Sequence, residues 1–385
     1  MKIEKLRLID FRNYENSIIE FKDGFNVIYG ENAAGKTNIL EAIFYFASGK
    51  SFRGCKDREL IRFEKESASV DMRFSRGNEN GTDSETKTEE IKKHLDSVHM
   101  GLKLYKGKKK VFERDNNVIS RLSEYLGAFR AVIFTPDHLS LIKGHPENRR
   151  RFIDLAISQS YPRYVAYLNE YNRLLMQKNA LLRKDFDNSD KRAMLEIYNE
   201  RMAVSAGAIS FNRKRFVSLL EKEAKKIHFD ISGCKEELSI EYLTQSGTDC
   251  ESAEETKERL KEFYLSKTDL EIQRGMTLFG VHKDDLNFYI NGRNAKLYAS
   301  QGQQRSAVLS LKIAEGQISK NVTGEYPVFL LDDILSELDD GRKEAILEKT
   351  YGKQVIITGC EQEYFEGLEI NNKIFVEKGA CKSCI

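Results

Sequence analysis

The chain has 385 residues, 40% of them hydrophobic, enough for one large domain or two ordinary ones with a substantial core. Lys and Arg number 62 against 60 Asp and Glu, so a global basic field for nucleic acid is excluded and any such surface is a local patch. The N-terminal MKIEKLRLIDFRNY has no apolar stretch of signal-peptide length, and no window approaches the ~20 apolar residues of a membrane span, which predicts a soluble, cytoplasmic chain.

Residues 2–30 read as strands: Leu6, Leu8 and Phe11, then SIIEF (Ser17–Phe21), a turn at Asp23-Gly24, and FNVIY (Phe25–Tyr29). The last runs into YGENAAGKTN, Tyr29 to Asn38. Its Gly30, Gly35, Lys36 and Thr37 have the spacing of a phosphate-binding loop. TNILEAIFYFA follows with apolar residues on most sides, as a helix buried under a sheet requires. In that context the backbone from Gly30 through Glu31, Asn32, Ala33 and Ala34 to Gly35 cradles phosphates. With Lys36, Thr37 and Asn38 it makes a candidate nucleotide site.

Residues 76–96 are polar and glycine-containing, which predicts a surface hairpin tip or mobile loop. LKLYKGKKKVFER (Leu102–Arg114) sets Lys106, Lys108, Lys109 and Lys110 in a strand-turn-strand pattern. Arg149, Arg150 and Arg151 form a second basic cluster at a helix start. Both suit DNA phosphates rather than base edges. Both also look like ordinary solvated faces, and the arginines could instead reach nucleotide or acids.

From about 150 to 230 the pattern turns helical. Tyr161, Tyr164, Leu168, Tyr171, Leu175 and Leu182 recur at threes, fours and sevens, and Met202 to Leu220 behaves similarly. This predicts an arm of two or more long helices, of which ~40 residues would reach only about 60 Å. Residues 247–262, acidic and then of mixed charge, are expected to be solvated. HKDD at 282–285 invites a metal-nuclease reading, but its place before an Asn-Gly turn favours a structural hairpin.

Two further words complete a phosphate site. SQGQQRSAVLSLKIAEG (Ser300–Gly316) puts Ser300, Gly302 and Gln303 at a helix N-terminus, with Ala307, Leu311, Ala314 and Ile318 on one face. Free N–H groups, a hydroxyl and a glycine suit a γ-phosphate, although Ser is also an ordinary N-cap. Because the chain already has one phosphate loop, this second helix end suggests a site completed by another subunit. YPVFLLDD (Tyr326–Asp333) is an apolar strand ending in acid: Asp332 would hold Mg²⁺ and Asp333 would be a candidate base. The plain alternative is a core strand ending in solvated acids. Asp339 follows in SELD, and KQVIITGC (Lys353–Cys360) is another apolar strand, carrying Thr358 near its end.

Almost 300 residues separate Lys36 from Asp332, so something large is inserted between the halves of one site. A GTPase would need an Asn or Thr where SKTD has Ser266. A transporter subunit would place its signature much closer to the loop. A nuclease would need an added carboxylate-rich domain. The scattered cysteines fit a reducing compartment, and Cys381-x-x-Cys384 could be a metal site, a redox pair or an ordinary tail.

In this order, the loop, SQGQ, LLDD and SELD resemble the ABC-type ATPases of chromosome and repair proteins. FRNYENSIIEFKDGFNVIYGENAAGKTNILEAI, IFTPDHLSLIKGHPENRRRFID, YNRLLMQKNALL and RGMTLFGVHKDDLNFYING narrow the resemblance to the RecF family of bacterial recombination mediators. It covers most of the chain apart from 76–96 and 245–262. Val281 departs from a usual proline, Tyr298-Ala299 from an aromatic-glycine pair, and Thr358 stands alone where a run of threonines is usual.

The resemblance implies an α/β fold: a P-loop ABC-type ATPase head of mixed sheet and helices (1–140 and 270–385) with a mainly helical arm lobe inserted (141–269). It implies ATP and Mg²⁺, weak DNA-stimulated hydrolysis, and an ATP-dependent head-to-tail homodimer. Gapped, double-stranded or single-strand-junction DNA and the partners RecR and RecO in loading RecA are implied as well. Carried over by position, Lys36, Asp332 and Asp333 are catalytic, and Thr37 and Asp332 hold Mg²⁺. Arg12 and Asn13 lie near the base or phosphates, Ser300, Gly302 and Gln303 act in trans, and Asp339 lies at the dimer seam.

Overall fold

The computed structural model describes residues 1–77, 97–184, 188–245, 252–360 and 369–384. These fold as two units: Met1–His138 with Val308–Ile385, and the inserted Leu139–Ala307.

The first unit opens with β1 (Lys2–Phe11), β2 (Tyr14–Glu20), β3 (Phe25–Tyr29) and helix α1 (Lys36–Ser48). β4 (Ser67–Ser75), β5 (Ser97–Tyr105), β6 (Val111–Arg114), β7 (Asn117–Ile119) and β8 (Ala131–Phe134) follow. Six of these strands form a sheet in the order β2-β1-β4-β5-β6-β7, antiparallel at every pairing. Buried and exposed residues alternate along β4, as expected where one face meets the core. In β1 the register to β4 shifts between Ile3 and Lys5, and this irregularity lets Ile3, Leu6 and Leu8 all be buried. The polar loop expected at 76–96 falls mostly on residues 78–96, outside the described residues.

The inserted unit carries α2 (Pro146–Ser160), α3 (Tyr164–Leu182) and α4 (Asn188–Ile231). It continues with β9 (Leu238–Leu243), α5 (Ala253–Arg274), β10 (Asp285–Ile290) and β11 (Arg293–Asn294), and the first turns of α6 (Gln301–Thr323) close it. At 44 residues α4 spans about 66 Å, longer than the Met202–Leu220 run predicts, and packs on α3 and α5. The stretch expected to be solvated is in part a helix. Ser252 caps α5 by accepting from Glu255 N–H, and Thr256, Leu260, Tyr264, Thr268 and Glu271 are buried along one side. Residues 246–251 lie outside the described residues. The lobe is also not bounded at 269. β10 pairs antiparallel with β9, Leu286 opposite Tyr242, so 270–307 belongs to the inserted unit.

The chain re-enters the first unit with β12 (Val328–Asp332), α7 (Asp340–Thr350), β13 (Val355–Gly359), β14 (Ile370–Glu377) and β15 (Ala380–Cys384). The second sheet runs β15-β14-β3-β13-β12-β8, parallel except for the β14–β15 pair. β8, β12 and β13 are buried along their whole lengths and read as unbroken apolar runs, because a parallel sheet is covered on both faces. α1 lies against these three strands, and Leu40, Ala42, Ile43 and Phe46 on different sides of it are all buried. The pair Cys381 and Cys384 falls on β15, where Cys381 is a free thiol opposite Val376. No helix among the described residues is long and apolar enough to cross a membrane.

One buried ion pair fastens the arm helices. Lys178 Nζ of α3 lies 2.6 Å from Glu271 of α5 and donates to Asn199 of α4 at 2.5 Å. Burial pushes the Lys178 pKa down and Glu271 opposes that shift. Glu271→Ala would leave the ammonium uncompensated and should cost about 3–5 kcal/mol in urea unfolding; a loss below about 1 kcal/mol would contradict this anchoring role.

Candidate nucleotide-binding site

The loop between β3 and α1 is held in shape from outside. Asn13 Nδ2 donates to Ala34 O at 2.7 Å, and Asn13 Oδ1 accepts from Asn38 Nδ2 at 2.8 Å. Tyr14 OH donates to Gly35 O at 3.1 Å. Two glycines are obligatory. A Cβ on Gly30 would lie 2.2 Å from Val376 O, and one on Gly35 would meet Asn13 and the Tyr14 hydroxyl, both at left-handed φ. Lys36 Nζ curls back to donate to Gly30 O at 2.6 Å and Glu31 O at 2.9 Å. The ammonium therefore sits over the loop that would cradle phosphates.

Strand order brings the distant acid to this loop. β13 lies between β3 and β12, so the C-terminal ends of all three meet. Thr37 Oγ1 donates to Asp332 Oδ1 at 2.8 Å, and Thr358 Oγ1 donates to the same oxygen at 3.0 Å. Thr358 also accepts from Asp333 N–H at 3.0 Å. Burial raises the Asp332 pKa, and the bonds from Thr37 and Thr358 pull it back. A hydroxyl and one carboxylate, side by side, fit Mg²⁺, which takes few protein ligands and completes its shell with water and substrate phosphates. No cluster of three His, Cys, Asp or Glu suited to a metal occurs among the described residues. Thr358 has one hydroxyl proton, directed at Asp332, and so orients that acid.

Beside these groups lies a cavity of about 350 Å³, lined by Asn32, Ala33, Gly35, Lys36, Thr37, Asn38, Arg53, Asp333 and Thr358. Asp333 reaches it with a left-handed φ of 51°. Arg53 was not marked by any sequence motif. It follows α1, donates to Asn38 Oδ1 at 3.1 Å and lies near buried Glu41. Arg12 also turns to Glu41, through two bonds of 2.8 Å, so its guanidinium is fixed by α1 at the edge of a neighbouring groove. Cys360, at the end of β13, donates to Asn32 Oδ1 at 2.8 Å.

In the inserted unit, Ser300 and Gln303 bond reciprocally at the start of α6. Ser300 Oγ accepts from Gln303 N–H at 3.2 Å, and Gln303 Oε1 accepts from Ser300 N–H at 2.8 Å. Ser300 is exposed and Gly302 half-buried. Asp339 caps α7 by accepting from Arg342 N–H at 3.0 Å.

The family model for the RecF/RecN/SMC N-terminal domain matches residues 2–383. A protein named DNA replication and repair protein RecF from Exiguobacterium sp. is 40% identical over 92% of this chain and 91% of its own length. Its namesake from Listeria monocytogenes is 40% identical over 99% of this chain and the whole of its own. The chain belongs to the RecF family. A solved structure of the recombination mediator protein RecF with ATP, from the RecFOR pathway, matches with TM-score 0.88 and 32% identity. That match covers all of this chain and 98% of the other. An Smc head domain from Pyrococcus furiosus, at TM-score 0.55 and 19% identity, shares the ATPase-head fold.

The basic residues of this RecF-family chain divide by what they touch. Lys108 and Lys109 are exposed on the turn between β5 and β6, where Gly107 takes a φ of 73°. Lys106 is exposed and lies 3.3 Å from Glu66. Lys110 faces inward: it donates to Tyr45 OH and Gly49 O at 2.7 and 2.8 Å and pairs with Asp57. That corrects its expected place on an outward basic face. Arg149 is likewise withdrawn, 4% exposed and doubly bonded to Asp285 at 2.6 and 2.9 Å. Arg150 donates to Asp284 O at 2.7 Å, and Arg151 is exposed. Asp284 itself pairs with buried Arg213, and His282 bonds Tyr171, so HKDD builds a structural junction at the hairpin.

Thr358→Val removes the hydroxyl that holds Asp332. The Mg²⁺ concentration for half-maximal ATP turnover should rise about tenfold or more, with metal-free nucleotide affinity unchanged. An unaltered Mg²⁺ requirement would contradict the assigned role.

Proposed function

We propose that this chain is an ATP-switched DNA-binding protein of replication and repair, acting in the cytoplasm as a homodimer that closes on ATP. The observation that carries the reading is that Lys36, Thr37 and Thr358 line one cavity and Asp332 bonds both hydroxyls beside it, although almost 300 residues separate Lys36 and Thr37 from Asp332. Lys36 neutralises the β- and γ-phosphates, and Thr37 and Asp332 hold Mg²⁺. Bound there, Mg²⁺ would offset negative charge on the phosphate oxygens. Asp333 positions water and accepts its proton. Arg53 adds positive charge at the same cavity.

The S-x-G-Q signature supports a second copy as the missing wall. Ser300 is exposed, its oxygen accepts from Gln303 N–H, and its own proton is left to donate outward. Leu297 and Tyr298, just before it, are 70% and 71% exposed, an apolar surface suited to another protein. In this reading Ser300, Gly302 and Gln303 meet the partner's γ-phosphate, and Asp339 lies at the seam. Slow hydrolysis opens the clamp. The relatives are named for DNA replication and repair and the solved RecF structure for the RecFOR pathway, which supports a role alongside RecO and RecR; loading of RecA at gapped DNA is what the family resemblance adds to this reading.

Lys108 and Lys109, exposed on the turn between β5 and β6, are the residues of the first basic stretch proposed to meet phosphates, with Lys106, which pairs with Glu66, beside them. Fluorescence anisotropy of a labelled gapped duplex tests the reading. Binding should be tighter with ATP than with ADP. Lys108→Ala with Lys109→Ala should reduce the log–log salt slope by about 2 if both contact phosphates. Equal binding in both nucleotides would contradict the switch, and an unchanged slope would place DNA elsewhere.

A further inference from the structure

The bond from Ser300 N–H to Gln303 Oε1, at 2.8 Å, requires the Gln303 carboxamide to present its oxygen and not its NH₂. A carboxamide can sit in either orientation, and its neighbours decide which. The Ser300 N–H can only donate and so takes the oxygen, and Glu236 enforces the same orientation from the other side. Gln303 Nε2 donates to Glu236 Oε1 at 2.9 Å. A carboxylate only accepts, so the NH₂ must face it and the oxygen must face Ser300.

Glu236 is held firmly enough to make that choice. Its N–H donates to Ser232 Oγ at 3.1 Å. Its neighbour Glu237 exchanges two bonds with Asn291 at the β10–β11 turn, of 2.8 and 2.9 Å. Its second oxygen lies 3.2 Å from Nε2 of His228, a fully buried side chain of α4. The arm helix and the start of α6 thus meet at the Glu236 carboxylate, and the hairpin holds the backbone of the next residue, all within the inserted unit.

We propose that Glu236 is a positioning residue for the signature. It selects the carboxamide orientation that anchors the Ser300 backbone and leaves the Ser300 hydroxyl proton directed at the phosphate of a second copy. This rests on the reading of Ser300 as a ligand in trans. It explains why Gln303 belongs to the signature: the side chain reads Glu236 on one side and Ser300 on the other.

The test uses the full chain and compares Glu236→Lys, Glu236→Gln and Ser300→Arg. Lysine donates, attracts the carboxamide oxygen and turns the group away from Ser300; glutamine can still offer an oxygen. Glu236→Lys should weaken ATP-dependent self-association, read by sedimentation velocity, about tenfold, with ATP affinity and melting temperature near those of the parent. Glu236→Gln should stay within about threefold of the parent. Parental assembly by Glu236→Lys, or an equal loss in Glu236→Gln, overturns the proposal. If Glu236→Lys melts early, Glu236→Ala takes its place, and undiminished assembly by that variant overturns it too. Ser300→Arg separates the two levels: if it still assembles with ATP, the trans reading has failed and Glu236 with it. If it alone is blocked, only the role of Glu236 has failed.

Discussion

One carboxylate oxygen, Asp332 Oδ1, receives the hydroxyl protons of Thr37 and Thr358 and so joins the ends of β12 and β13 to the start of α1. The rest of the site depends on that junction. Thr37 is placed by α1, which begins at a glycine whose Cβ would collide with Asn13 and Tyr14. Asp332 is placed by β12, buried along its whole length. Thr358 comes from β13, the strand between them. Moving any one strand by a single residue would turn its side chain to the other face of the sheet and break the junction. Burial disfavours the negative charge of this acid, the two hydroxyl donors offset part of that cost, and a cation would offset more, which links the fold of the sheet to metal and nucleotide.

The inserted unit has its own logic. Its long helices are fastened by buried charges, Lys178 with Glu271 and Arg213 with Asp154 and Asp284. Such pairs are weak sources of net stability but costly to break, so they favour a defined geometry over a tight one. The unit ends in the hairpin and helix start that display Ser300. A rigid arm and a precisely capped helix end are what a residue needs if it is to meet a phosphate on another molecule.

Much of the nucleotide site was legible because its words are local. A glycine-rich loop after an apolar strand, LLDD at the end of another, and Ser-x-x-Gln at a helix start each carry their meaning within ten residues. The illegible parts depend on partners far away in sequence. Lys110 reads like its neighbours Lys108 and Lys109, and only the approach of Asp57 and Tyr45 turns it inward. Arg149 reads as a basic cluster until Asp285 claims it. Arg12 and Arg53 converge on Glu41, a buried acid within an otherwise apolar helix. The charged run after 252 hid a helix because its buried stripe is made largely of Thr, Tyr and Glu, which carry little apolar signal. The lobe boundary at 270 failed because strand pairing between β9 and β10 leaves no mark in either segment alone.

The proposed site is shared between two copies, and mixing two inactive variants tests that most directly. Lys36→Ala keeps the signature but lacks a working loop; Ser300→Arg keeps the loop but lacks a working signature. A mixed dimer would restore one complete site of two. Because neither variant closes with itself on ATP, the dimers that form in an equal mixture are the mixed ones, and ATP turnover should recover toward about half the parental value per chain. A mixture as inactive as either variant alone would contradict a site built from two chains.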